Sequence, residues 1–450
     1  MLSNSEKSKV YKWKCTVCGE IVEGVEPPKT CPVCGVGPEY FVKLEDTEDD
    51  TLVESSSDEK IVIIGASGAG MSAAAEIRKR NNKCELTIIS KEDVKGYYRP
   101  QLSKMLGNES IDVGSLEIKN DKWLKENNVK LLLNKLVAHI DVKNKKVIMN
   151  DKEELDYTTL IIASGAEVFV PPFAGRDKNG VFTLRYAKDS KAIREYAKDK
   201  KTGAVIGGGV LGLEIANELK NLGLNVTVVE VADRILPRQL DPEASKILED
   251  IVKKAGIVFK KGIGTKEITG DSMVKGILLD NGETVDADVV VVSTGVRANS
   301  SIAEENGIEI KRAIVVNNKM ETSVDRVYAC GDCAEYDGIN YALWSEAIEQ
   351  GKTAGINAAG GNYIYNTIIP STTLNAFGTK VFSIGDVGSD PNTEYETYEE
   401  FDGNNFKKLY FKNKILAGGI LIGDTSKTVA LTEGFEKSKN MEEMIEKIKS

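Results

Sequence analysis

The apolar residues of this chain fall into short unbroken runs, most of them β-branched, each leading into small residues. Residues 61–64 (IVII) run into Gly65-Ala-Ser67-Gly68-Ala69-Gly70, and an alanine-rich stretch follows. A run without alternation reads as a strand buried on both faces, and the alanine-rich stretch as a helix. Residues 86–89 (LTII), 160–162 (LII, leading to Ala163-Ser-Gly165), 204–206 (AVI) and 289–292 (VVVV) share this character. Residues 129–170 instead alternate like strands (VKLLLNKLVAHIDV, KKVIMN) and lead to the short apolar run that ends at Gly165. Residues 344–357 open on Trp344 and read as a helix. Beyond residue 371 the alternation returns (KVFSIGDV, FKKLYFKN, KILAGGILIG), and a terminal helix closes the chain.

Strand, glycine turn and helix in that order make a phosphate site. The turn's N–H groups and the helix N-terminus, worth about half a positive charge, face the anion. Gly65 and Gly70 suit the tight turn and the close helix–strand packing, but the middle position is Ser67, whose Cβ stands where backbone should approach a ligand. A second copy has Gly207, Gly209 and Gly212 in register, and the next strand ends in Glu230. That carboxylate suits ribose hydroxyls and repels a 2′-phosphate, which predicts NADH over NADPH. In the first copy Lys91 takes the equivalent place and Glu92 comes next, so the ribose contact is open between them. Thr294-Gly295 ends the second unit. The expected fold is α/β, with two Rossmann-like dinucleotide-binding domains and a small C-terminal α+β domain. The expected bounds are 60–170 with 298–370 for the first, 171–297 for the second and 371–450 for the third.

Residues 1–46 form a separate unit. Cys15-Thr-Val-Cys18-Gly and Cys31-Pro-Val-Cys34-Gly are two knuckles with the spacing of a tetrahedral four-thiolate metal site. So short a unit cannot bury enough surface to fold alone, so a metal supplies the missing stability. Four sulfurs suit zinc or iron alike. Residues 47–59 are acidic and serine-bearing, and read as a linker.

Lysine and arginine total 59 against 69 acidic residues, a net charge of −10, with no basic stripe for a nucleic acid. No run reaches the ~18 apolar residues of a membrane helix, and the first residues lack a signal-like apolar core. The expectation is a cytoplasmic protein with no membrane partner. Four of the seven cysteines lie in the knuckles, which is not a disulfide framework. Between Cys84 and Cys330 there is none, so the redox pair of flavin disulfide reductases is missing. Arg99 and Lys104 of the YYRPQLSK segment stand in its place. In Cys330-Gly331-Asp332-Cys333 the aspartate is placed for a ribityl hydroxyl. A Cys330/Cys333 redox pair is the alternative to two small packing residues. His139, the only histidine, has no partner motif.

The segments IIGASGAG, YYRPQLSK, LIIASGA, IGGGVLGLE, ACGDCA and LWSEAIEQGK together resemble the NADH:rubredoxin oxidoreductases, relatives of apoptosis-inducing factor and of large-subunit nitrite reductases. The N-terminal unit, with Tyr11, Trp13, CPVCG and Tyr40-Phe41, resembles the rubredoxin-like domain of rubrerythrins. The resemblance implies FAD on the first unit, NADH on the second, and one iron held by Cys15, Cys18, Cys31 and Cys34. It implies that Arg99 and Lys104 sit beside the flavin, with Glu214 paired to Lys104 near flavin N5. It further implies Asp332 on the ribityl chain and Trp344 by the nicotinamide. The implied acceptors are rubredoxin, rubrerythrin or a flavodiiron protein. Two other classes stay open: an NADH oxidase or other flavin reductase carrying a structural zinc ribbon, and a binding protein switched by flavin reduction.

Overall fold

The unbroken apolar runs become the central strands of two parallel sheets in the computed structural model, which describes residues 10–16, 20–32, 35–44 and 58–449. The first sheet has the order Val327–Ala329, Thr159–Ile162, Lys60–Ile64, Glu85–Ile89, Val129–Leu132, every pair parallel. Val327–Ala329 returns to this sheet after the whole second unit. Two helices, Gly68–Arg80 and Trp344–Ala358, pack against each other over it. Their contact needs glycine: a Cβ on Gly351 would stand 2.2 Å from Ala69 O, and one on Gly355 2.4 Å from Ala73 O. Close backbone approach fixes how the first glycine turn faces the start of the late helix.

The second sheet runs Val181–Thr183, Val289–Val292, Thr202–Ile206, Asn225–Glu230, Val258–Lys261, again all parallel. The chain passes between the two sheets at an antiparallel ribbon of Ala166–Val168 and Val296–Ala298. The alternating stretch becomes Val137–Asp141, Lys146–Met149 and Glu154–Asp156, an antiparallel three-stranded sheet with His139 exposed on it.

The C-terminal residues form an antiparallel sheet in the order Ser371–Ala376, Thr379–Gly385, Ile415–Ile422, Phe406–Lys412, Glu396–Phe401. Its alternation is used on both faces. Phe382, Leu409 and Leu421 pack under the helices Thr428–Glu436 and Met441–Lys449, while Val381, Phe406 and Ile420 join the core of the second unit.

At the N-terminal end, Tyr11–Cys15 lies between Ile21–Gly24 and Phe41–Lys43 in a three-stranded antiparallel sheet. Cys18, Cys34 and nearly all of the expected 47–59 linker lie outside the described residues. The described chain resumes at Asp58, and Glu59 is already tied to the first unit by an ion pair with Arg326. Among the described residues no helix is long and apolar enough to cross a membrane.

Candidate functional site

The two glycine turns are built alike. Gly65 and Gly207 have φ of +115° and +112°, a region that only glycine enters freely. A Cβ on either would stand 2.1 Å from a backbone oxygen, of Ala163 and Ser293 respectively. Gly70 and Gly212 repeat the match, since their Cβ atoms would meet Gly65 O at 1.9 Å and Gly207 O at 2.0 Å. The middle positions differ in residue but not in shape. Ser67 (φ −88°) and Gly209 (φ −74°) are both extended, so the backbone accepts serine without strain. Ser67 Oγ accepts a hydrogen bond from Arg99 Nε at 3.0 Å, tying the turn to the arginine. Among the described residues, no atom beyond its chain neighbours and its own helix lies within 4 Å of a Cβ placed on Gly209, which leaves that face of the second turn open for a pyrophosphate.

Beside the first turn lies a cavity of about 1040 Å³, large enough for a dinucleotide. Gly65, Ser67, Gly68 and Ala69 line it from the turn, and Ala163, Gly165, Gly331 and Asp332 from the ends of neighbouring strands. Trp344 lines it from the start of the late helix; Glu92, Arg99, Lys104 and Glu214 complete the expected set. Gly70 sits behind the wall, against Gly65. Gly207, Gly209, Gly212, Glu230 and Gly295 belong to the second unit instead and do not line this cavity. The helix after the second turn, Val210–Asn221, does line it, through Val210, Leu211 and Glu214. The cavity thus runs from the first nucleotide site toward the second.

The polar groups are arranged differently from the expectation at one point. Lys104 Nζ donates to Glu218 Oε1 at 3.2 Å and to Asn375 O at 2.9 Å, while Glu214 Oε2 accepts from Ser103 Oγ at 2.8 Å. The lysine's ion-pair partner is therefore the carboxylate one helical turn beyond Glu214. Space decides this: Gly107 has no side chain, and a Cβ there would stand 2.0 Å from Glu218 Oε2. Asn217 and Asn221 also donate to Glu218, each at 3.1 Å. Burial pushes the Glu214 carboxyl up to about 7, against the opposing hydrogen bond from Ser103 and the charge of Lys104. It can gain or lose a proton near neutrality. Of the two ribose candidates, Lys91 pairs with Glu167, and Glu92 accepts from Tyr97 Oη at 2.7 Å and from Arg99. Asp332 Oδ2 accepts from Arg185 Nη2 at 2.9 Å.

In the second unit, both Glu230 oxygens hold backbone: Oε2 accepts from Gly208 N at 2.6 Å and Oε1 from Ala232 N at 2.7 Å. The carboxylate is thereby clamped at the glycine turn, where a ribose edge would lie. Cys330 and Cys333 are free, fully buried thiols; Cys333 Sγ lies 3.3 Å from the carbonyl oxygens of Ile162 and Cys330. Burial raises both thiol pKa values, which leaves them poor nucleophiles.

Three contributors were missed from sequence. Glu218 follows Glu214 by four residues on one helix face, a spacing that could have shown it. Arg185 carries no local pattern, and only the fold brings it to the cavity; Ser103 is buried behind the wall and acts through its hydrogen bond to Glu214.

In the N-terminal sheet Cys15 and Cys31 are buried in one cluster with Tyr40 and Phe41. Backbone turns anchor both: Cys15 N donates to Glu20 O at 2.8 Å and Cys31 N to Val36 O at 2.7 Å. Two of the four expected thiols thus converge on one core, which fits a thiolate-held metal.

Two like-built phosphate turns, with a cavity that runs from the first to the helix following the second, define a dinucleotide-dependent oxidoreductase. The chain belongs to the pyridine nucleotide-disulphide oxidoreductase family, whose pattern spans residues 59–351. Residues 370–439 match the rubredoxin NAD+ reductase C-terminal domain, and residues 13–42 the rubrerythrin, rubredoxin-like domain. Among curated relatives, the NADH-rubredoxin oxidoreductase of Clostridium acetobutylicum is 31% identical, over 85% of this chain and 96% of its own. The nitrite reductase [NAD(P)H] of Bacillus subtilis is 35% identical over 85% of this chain and 48% of that protein. The chain therefore spans about half the length of some curated relatives that it matches. The crystal structure of the Clostridium acetobutylicum NADH:rubredoxin oxidoreductase superposes with a TM-score of 0.72 at 30% identity, covering 85% of this chain and 96% of that one.

Proposed function

We propose that this protein is a cytoplasmic, FAD-dependent NADH oxidoreductase that delivers single electrons, through its own four-cysteine iron, to an iron-protein acceptor of the rubredoxin type. The observation that carries this reading is the joint occurrence of two matched phosphate turns, a cavity running from the first turn to the helix of the second, and a buried cysteine pair in the same chain. FAD fits the cradle in which any Cβ at Gly65 or Gly70 would strike backbone, and NADH fits the second, open turn with Glu230 at its edge. Bound FAD would accept a hydride and release electrons singly, and iron on Cys15, Cys18, Cys31 and Cys34 would carry one at a time.

The chain's own groups position and polarise. Ser67 and Arg99 brace the first turn, and Asp332 with Arg185 forms a charged pair on the cavity wall. Lys104, held by Glu218, places a positive charge beside the cavity, where it favours an electron-rich bound group. Ser103 orients Glu214, whose carboxyl changes charge near pH 7 and so can exchange a proton within that wall. No cysteine acts as an electron store in this scheme.

The test is turnover with NADH in two separate assays, one anaerobic with an isolated rubredoxin as acceptor and one in air-equilibrated buffer with dioxygen as acceptor. The proposal expects rubredoxin reduction to exceed dioxygen consumption by at least about tenfold in kcat/KM. Faster reaction with dioxygen would favour an NADH oxidase with a structural zinc ribbon.

A further inference from the structure

The four-cysteine unit is seated on the flavoprotein body through contacts with two separate parts of it. Tyr98, in the segment that carries Arg99, is buried in one cluster with Cys15, Cys31 and Val36, and its hydroxyl donates to Glu20 Oε1 at 3.1 Å. Tyr40, wholly buried, hydrogen-bonds Thr425 of the C-terminal domain through its hydroxyl. Glu39 Oε1 accepts from Lys380 Nζ at 3.2 Å, on a strand of the C-terminal sheet. Gly35 and Val36, immediately after the second knuckle in sequence, line the nucleotide cavity itself. A tyrosine–tryptophan pair spans the gap between the knuckle and the first glycine turn. Tyr98 and Trp344 meet edge to face with ring centroids 6.1 Å apart, and a Cβ on Gly68 would stand 2.9 Å from Trp344 Cη2.

Building on the relay function above, we propose that this unit is docked, not merely tethered. It is a built-in acceptor held over the cavity on the Tyr98–Trp344 platform and latched by Glu39–Lys380 and Tyr40–Thr425. The face that a free rubredoxin would need to approach the cavity is then already taken, and an external iron protein collects electrons from the unit's outer side. A loose tether would have left Tyr40 and Tyr98 in water. Their burial, with partners from both the C-terminal domain and the FAD unit, fixes one orientation.

The test uses the full chain loaded with FAD and metal. Lys380→Glu combined with Thr425→Val reverses one latch and removes the other without touching a residue that lines the cavity. Reduction of FAD by NADH should be unchanged, reduction of the metal should slow at least fivefold, and small-angle scattering should report a larger radius of gyration. Adding Glu39→Lys should recover part of both effects, which a merely damaged surface would not do. Should the double variant fold poorly, Glu39→Lys alone makes the same comparison from the unit's own side. Wild-type rates and an unchanged radius of gyration in a folded variant would overturn docking. A wild-type chain whose metal is never reduced would defeat the relay reading instead, while the scattering comparison would still report whether the unit is docked.

Discussion

Gly65→Ala is expected to yield a protein without flavin that is destabilised by about 3 kcal/mol or more, if it accumulates at all. The alanine must adopt φ near +115° while its Cβ is driven to 2.1 Å from Ala163 O, an oxygen fixed in the next strand's turn. Backbone strain alone accounts for about 1–3 kcal/mol, and the displaced strand end adds to it. Gly207→Ala faces the same angle and the same 2.1 Å contact, now with Ser293 O, but in the other unit. It should stay yellow while losing its response to NADH. Gly209→Ala closes the series, because its Cβ meets no atom of the described residues beyond its chain neighbours and its own helix, and its φ is ordinary. That variant should fold and bind FAD normally, with an NADH KM raised about tenfold by crowding where the pyrophosphate approaches. Flavin content after gel filtration, thermal unfolding and NADH titration separate the three. Flavin loss in Gly207→Ala together with retention in Gly65→Ala would reverse the assignment of the two turns.

The second large effect concerns nucleotide choice. Glu230 is clamped by Gly208 N and Ala232 N, so it cannot swing away from a 2′-phosphate. A like charge held there should disfavour NADPH by about 3 kcal/mol, on the order of 100-fold in kcat/KM. Glu230→Ala removes the repulsion together with the ribose acceptor. NADH should then lose about tenfold, and the ratio of the two nucleotides should fall to within about tenfold of unity. Equal kcat/KM values in the unaltered protein would contradict the role given to Glu230.

What was legible in the sequence follows the range of the forces involved. Parallel strands announce themselves as apolar runs because both faces are buried, and Gly65, Gly70, Gly207 and Gly212 stand where a side chain would collide with backbone. Gly70 and Gly212 answer to the turn five residues before them, whereas Gly65 and Gly207 answer to the ends of strands brought alongside by the sheet, at Ala163 and Ser293. The Ser67 departure was readable only as a puzzle. Its resolution needed a backbone angle of −88° and a partner, Arg99, that lies 32 residues away. The contact of Lys104 with Glu218 is out of reach of the sequence for a similar reason. Glu214 and Glu218 share a helix face, and the choice between them rests on the space left by Gly107 and on Asn375 from the C-terminal sheet. Nothing in the knuckle spacing indicates where the four-cysteine unit rests, since Tyr98, Lys380 and Thr425 reach it only once three parts of the chain have folded together.

The relay itself is tested most directly by an anaerobic NADH titration of the purified protein, followed by visible absorption and paired with metal analysis. Stoichiometric iron is predicted, with two chromophores bleaching in sequence, first the flavin and then the thiolate-to-iron absorption. Zinc, with its filled d shell, gives no colour and takes no electron. Stoichiometric zinc and bleaching of flavin alone, in an intact protein that still reduces a rubredoxin at full rate, would together contradict the account.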